Sequence, residues 1–101
     1  MRLIKVTQVG DVPSSQGKVL SVGDKQIALF NLNGTFHAID NTCPHRGGPL
    51  GEGDLEGTVV TCPWHRWQFD VTTGKSPVNP AACVKTYVCK VEGADILIQV
   101  P

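Results

Sequence analysis

Residues 43–70, CPHRGGPLGEGDLEGTVVTCPWHRWQFD, decide how this chain is read. Cys43-Pro44-His45 and Cys62-Pro63-Trp64-His65 bracket a glycine-rich stretch, so that C-x-H is followed, after sixteen residues, by C-x-x-H. Each half offers one thiol and one imidazole beside a proline that stiffens the backbone. Four soft or borderline donors of two kinds on two loops form a metal-ligating pattern. Zinc accepts two thiolates and two imidazoles, but its usual sequence form pairs like ligands locally, as in C-x-x-C followed by H-x-x-x-H. A 2Fe-2S cluster with two Cys on one iron and two His on the other can draw one ligand per iron from each loop. Spacing alone leaves both open.

Outward from this stretch the chain reads as strands and turns. Residues 3–9 alternate partly between apolar and polar side chains, as a first strand does. Gly10, Pro13, Ser14, Ser15 and Gly17 then mark a loop. A strand near 18–22, a Gly23-Asp24 turn and a strand at 26–32 follow. Asn33-Gly34 favours the positive φ angles of a tight hairpin turn and predicts pairing of 26–32 with Thr35–Asp40. From 41 to 57 periodicity disappears, and five of the eleven glycines stand there. Thr58–Thr61 leads directly into Cys62, Trp67–Asp70 resumes an extended pattern, and Val71–Gly74 is a turn. Pro77 and Pro80 mark a loop over 75–82, and Val84–Val91 and Asp95–Val100 read as two closing strands. No segment of ten residues carries a 3.6-residue period, and β-branched residues dominate. The expectation is an all-β, single-domain chain over 1–101, a small antiparallel sandwich or barrel of eight to ten strands. The cluster-binding loops, about 41–67, form an excursion from it.

Composition narrows the function. At 101 residues the chain can bury a core but profits from a metal staple. Nine Lys and Arg balance nine Asp and Glu, with no basic stripe, which argues against nucleic-acid binding. No stretch approaches the roughly 18 apolar residues of a membrane span. Lys5 and Gln8 interrupt the apolar run that a signal peptide needs, so a cytoplasmic location is expected. There thiols stay reduced, and four cysteines argue for metal binding over disulfides. Cys83 and Cys89, six residues apart on one expected strand, are too far apart to pair within it, at ~3.3 Å per residue, and read as buried free thiols. His37, with no thiol nearby in sequence, reads as a packing or surface histidine.

Cys43-Pro44-His45-Arg46-Gly47-Gly48 and Cys62-Pro63-Trp64-His65 resemble the two ligand boxes of a Rieske iron–sulfur domain. The resemblance extends to Phe69-Asp70 and Thr73-Gly74, and the strand order fits the whole chain. In outline it is most similar to the small soluble ferredoxins of bacterial ring-hydroxylating oxygenase systems. By that resemblance Cys43 and Cys62 ligate the inner iron of one 2Fe-2S cluster, and His45 and His65 the outer. Two ferric ions and two sulfides sum to +2, which two thiolates cancel, so one electron takes the centre from neutral to −1. A small charge change at a partly exposed site suits electron transfer better than substrate chemistry.

Around such a cluster the neighbouring residues take further expected roles. Gly47 and Gly48 would let backbone N–H groups approach the sulfurs. Trp64 and Trp67 would divide between an exposed docking position and the core, and Pro77 would belong to a loop shielding the cluster. Arg46 and Arg66, each directly after a ligand histidine, would form a basic docking rim, with Glu52, Asp54 and Glu56 as counterbalance. High-potential relatives carry an extra Cys in each box, a Ser and a Tyr, where this chain has Gly48, Trp64, Trp67 and Phe69. The implied potential lies toward the low end of the Rieske range of about −150 to +300 mV.

The implied function is a one-electron carrier, itself not an enzyme, that passes electrons from a flavoprotein reductase to a terminal oxygenase. The sequence ends at Pro101, without the mononuclear iron domain of an oxygenase α subunit and without a nucleotide fingerprint. Two alternatives are a small Rieske-like subunit of a nitrite reductase and a zinc-stapled binding module.

Overall fold

The structure, a computed structural model, describes residues 2–22, 25–43, 48–64, 66–79 and 81–100. The expected Gly23-Asp24 turn lies outside them, as do His45, Arg46, Gly47, His65 and Pro80. Among the described residues ten strands run β1 (Arg2–Gln8), β2 (Gln16–Val22), β3 (Lys25–Leu32), β4 (Thr35–Asp40), β5 (Asp54–Glu56), β6 (Val59–Thr61), β7 (Gln68–Asp70), β8 (Thr86–Tyr87), β9 (Cys89–Glu92) and β10 (Asp95–Val100). Two 3-10 turns, Val9–Asp11 and Leu50–Glu52, are the only helical elements among the described residues. Among the described residues no helix is long and apolar enough to cross a membrane.

The strands form three antiparallel sheets, ordered β1-β10-β9, β2-β3-β4-β8 and β5-β6-β7. The four-stranded sheet is the shared layer, for a reason legible in β3. Its run Ile27-Ala28-Leu29-Phe30 is apolar at every position and buried throughout, the pattern of a strand covered on both faces. Ile27 and Leu29 join Leu20, Ala38, Tyr87, Ile96 and Ile98 in a core toward the β1-β10-β9 sheet. Ala28 and Phe30 join Ile39, Cys43, Leu50, Val60, Cys62, Phe69 and Val71 in a second core toward β5-β6-β7. Both candidate ligand cysteines are therefore part of a packed hydrophobic layer.

Asn33 and Gly34 adopt φ of 54° and 97°, the left-handed geometry that a two-residue hairpin loop demands. The ladder they close runs from Leu32↔Thr35 to Ile27↔Asp40. Buried Asn31 supports the turn by accepting Gly34 N–H at 2.7 Å, and it donates to the Val12 carbonyl at 2.7 Å.

Two sequence expectations are corrected. The expected strand 84–91 is two strands in different sheets, β8 beside β4 and β9 beside β10. Tyr87 and Cys89 face the same core while Val88 between them is exposed, so alternation continues across the corner and hides it. Cys83 and Cys89 consequently do not share a strand. Cys83 bridges Lys75 and is exposed, and Cys89 is half-buried on β9, its thiol pushed up to about 11 by burial. Strand β5 (Asp-Leu-Glu) went unread because a single apolar residue between two carboxylates carries no period.

Candidate metal centre

The two ligand-bearing segments are hairpin tips built in the same way. In the first, Asn41 and Leu50 are joined by Leu50 N–H to Asn41 C=O at 2.8 Å, Thr42 pairs with Pro49, and Cys43 N–H donates to Gly48 C=O at 2.9 Å. In the second, Thr61 pairs with Gln68 at the end of the β6–β7 ladder, and Cys62 N–H donates to Trp67 C=O at 2.6 Å. Each cysteine thus bonds to the carbonyl five residues on; the four residues between in sequence, 44–47 and 63–66, are termed the apex of each loop. His45 and His65 belong to these apices by sequence, though both lie outside the described residues.

The sulfurs converge. Cys43 and Cys62 are 1% and 0% exposed and belong to the same buried cluster. Burial pushes the Cys62 thiol up, the Trp64 N–H opposes this, and the Cys43 thiol adds to it. Gly48 joins the two loops. A Cβ there would stand 2.5 Å from Cys62 Sγ and 3.1 Å from Trp64 Cβ, so only glycine lets the first loop's backbone lie against the second loop's sulfur. Gly53 plays a similar part at the root of the second loop, where a Cβ would fall 2.2 Å from the Thr61 carbonyl oxygen.

Around this centre the structure separates the two tryptophans. Trp64 is 51% exposed at the second apex, whereas Trp67 is half-buried and packs on the core that contains Cys43 and Cys62. Arg66 is exposed with φ of 59°. It lines a cleft of about 280 Å³ together with Glu52, Gly53, Asp54, Thr61, Cys62 and Pro63; Glu56, on β5, does not line it. Pro77 is exposed in a loop shaped by Ser76, whose hydroxyl accepts the N–H groups of Val78 at 3.3 Å and Asn79 at 3.1 Å. This loop returns beside Trp67, which with Asn79, Ala81, Ala82 and Cys83 lines a shallow depression.

A family model, the Rieske [2Fe-2S] domain, matches residues 2–88. The chain belongs to this family. Its cofactor is one Rieske-type 2Fe-2S cluster, and the described residues fit that group: two buried, converging thiols offer the donors, and a side-chain-free backbone lies against one of them. The Rieske chain is 40% identical to the 3-phenylpropionate/cinnamic acid dioxygenase ferredoxin subunit of Shigella flexneri, covering 100% of this chain and 96% of that one. It is 39% identical to the ferredoxin component of the alkene monooxygenase system of Xanthobacter autotrophicus, over 94% and 79% of the two chains. Among solved structures it is similar to Sphingomonas yanoikuyae B1 ferredoxin, with a TM-score of 0.90, 27% identity and coverage of 99% and 100%. It also matches a chain in the complex of reduced oxygenase and oxidised ferredoxin in carbazole 1,9a-dioxygenase (TM-score 0.87, 26% identity, coverage 95% and 91%). A nitrite reductase small subunit from Mycobacterium tuberculosis shares the fold at a TM-score of 0.90, but at 23% identity, over 99% and 96% of the chains.

Two residues that shape the Rieske site were not read from the sequence. Asn41 and Ser76 are both buried and both organise backbone next to the loops. Only their position, an Asn two residues before the first thiol and a Ser before Pro77, gave any signal.

Proposed function

We propose that this chain is a soluble one-electron carrier, a single domain over residues 1–101, that delivers electrons to a terminal oxygenase. Cys43 and Cys62 hold one iron of the cluster, and His45 and His65 hold the other. The observation that carries the reading is the pair of buried, converging thiols at the roots of two like-built loops, in a chain 32–40% identical to ferredoxin components of oxygenase systems. When bound, the cluster supplies a one-electron couple.

The protein's own residues tune and present that couple. Cys43 and Cys62 sit in the apolar layer, so the sulfur side is kept dry, while exposed Trp64 and Arg66 face partners. Gly48 brings backbone to the Cys62 sulfur. Trp67 and Phe69 occupy the positions where high-potential relatives carry hydroxyls; Phe69 is fully buried and Trp67 packs on the core. With no hydroxyl there to stabilise the added negative charge, the potential falls toward the low end of the range of about −150 to +300 mV. A measured potential well above zero contradicts this.

Exposed Trp64, with Arg46 and Arg66 as a basic rim, meets the partner, and the loop bearing Pro77 shields the centre. The donor is a flavoprotein reductase, and the system operates in the cytoplasm. The test is the visible and EPR spectrum of the purified protein before and after dithionite. The expected result is a coloured protein that becomes EPR-active with an average g value below that of an all-cysteine cluster. A colourless protein, as with zinc, or one that stays EPR-silent contradicts the reading. The fold shared with a nitrite reductase small subunit favours one other role, that of an accessory subunit. Purification as a free chain supports the carrier, and a stable complex with a large reductase subunit supports the alternative.

A further inference from the structure

The two ligand loops are anchored unequally, and the difference falls on Asn41. The second loop grows out of the three-pair β6–β7 ladder, Val59↔Asp70, Val60↔Phe69 and Thr61↔Gln68. Behind its tip the first loop has one bridge, Thr42↔Pro49, and then Asn41. Asn41 is 3% exposed, and each of its four polar groups is engaged. Its N–H donates to the Gln26 carbonyl of β3 at 3.1 Å, and its carbonyl accepts Leu50 N–H at 2.8 Å. Its side-chain Oδ1 accepts Gly51 N–H at 2.7 Å, and its Nδ2 reaches Gln26 Oε1 at 3.5 Å. One residue therefore ties the outgoing limb of the loop, its returning limb and the central sheet together, two positions before Cys43.

The space around this joint is already closed. A Cβ on Gly51 would lie 2.7 Å from Val19 Cγ2 and 3.0 Å from Asn41 Oδ1, and a Cβ on Gly17 would lie 3.1 Å from the Gly51 carbonyl oxygen. Gly51 is thus held between β2 and the Asn41 amide, with no room to re-form its N–H bond elsewhere. Removal of the Asn41 acceptor deprives the buried Gly51 N–H of its protein partner and unties the two limbs of the loop.

We propose that Asn41 is the positioning residue of the first ligand loop: by fixing Gly51 to the end of β4 it sets where Cys43 stands relative to Cys62. The assignment rests on the ligand set given above. It acts through the backbone, by its bonds to Leu50 N–H and Gly51 N–H. Outer-shell partners of metal ligands typically carry 10–100-fold in metal affinity, and Asn41 belongs at the lower end because its effect passes through two residues.

The test compares holoproteins. Iron released to a ferrous chelator after dithionite, and the g values of the reduced cluster, are measured for wild type, Asn41→Ala, Asn41→Asp, Gly51→Ala and Ile96→Ala. Ile96 is buried in the other core and serves as a control that loses stability without touching the loop. Asn41→Ala is expected to release iron about tenfold faster and to shift or broaden the g values. Asn41→Asp keeps an oxygen for Gly51 N–H but loses the donor to Gln26 and buries a carboxyl group, so it is expected to release iron more slowly than Asn41→Ala though faster than wild type. Gly51→Ala presses on the joint from the other side and is expected to behave like Asn41→Ala; it carries the test if that variant does not fold. Ile96→Ala, compared at the same interval below its own Tm, is expected to match wild type. Wild-type rates and g values in both Asn41→Ala and Gly51→Ala overturn the proposal, as does equal acceleration in Ile96→Ala. A wild-type protein without a Rieske signal overturns the ligand reading itself, which separates the two failures.

Discussion

The first and second ligand loops offer the same chemistry, a buried cysteine closing a four-residue apex, on two different kinds of support. The second loop inherits its geometry from a β-ladder with Phe69 buried behind it. The first has a single bridge, the buried plug Leu50 and the side chain of Asn41. A ladder spreads the work over many backbone bonds, each contributing about 1 kcal/mol net. A polar joint concentrates it on a few atoms. The second loop should therefore tolerate loss of any one backbone bond, and the first should not tolerate loss of the Asn41 side chain.

The largest expected effect removes what the loops share. Cys62→Ala or Cys43→Ala deletes a donor from the convergent pair, and the purified protein should contain less than a tenth of the wild-type iron, since outer-shell changes alone cost 10–100-fold. Because metal binding is coupled to folding, Tm should fall as well. Full iron content in either variant would remove that cysteine from the centre.

Next come the two plugs. Phe69→Ala should cost about 3–5 kcal/mol and Leu50→Ala about 2–5 kcal/mol, both being fully buried large-to-small changes. Hydrogen exchange distinguishes them. Leu50→Ala should expose residues 41–50 while the β6–β7 amides stay protected, and Phe69→Ala should open β6–β7 as well. If both open the same amides, the loops are not independently supported and the contrast fails. Gly48→Ala should follow at about 1–3 kcal/mol, the usual cost of overpacking, with partial loss of iron because the new Cβ drives against Cys62 Sγ.

The smallest effect is a pH dependence confined to the second loop's root. Burial raises the Asp70 carboxyl, but hydrogen bonds from the Thr72 hydroxyl, Thr72 N–H and Thr58 hydroxyl, aided by His37, outweigh it and hold the group below the ordinary carboxylate range. A lowered folded pKa contributes stability that is present above the unfolded value of about 3.9 and is lost as pH falls through the folded value. Asp70→Asn should therefore lower Tm at pH 7, with the difference fading below about pH 4. A difference that persists undiminished at pH 2 would assign it to something other than charge.

The parts of this molecule that were legible in the sequence are those whose cause is local. Asn33-Gly34 announces its hairpin because few other dipeptides accept two positive φ angles in succession. Cys43 and Cys62 announce a metal centre because thiols paired with imidazoles have few other uses in one short window. The β8–β9 corner was not legible, because a strand can change sheets while its side chains keep alternating. Asn41 was not legible either, because its partners, Gln26 and Gly51, lie fifteen residues before and ten after it. Nothing in Asn-Thr-Cys says that the Asn is a joint rather than a turn residue.

The account's central claim is a cluster whose two irons differ, one held by Cys43 and Cys62 and the other by His45 and His65. Mössbauer spectroscopy of the oxidised protein loaded with 57Fe tests it most directly. The account predicts two quadrupole doublets of equal area with distinct isomer shifts, one for iron with four sulfur ligands and one for iron with two nitrogens. A single doublet, from two equivalent irons, would contradict it.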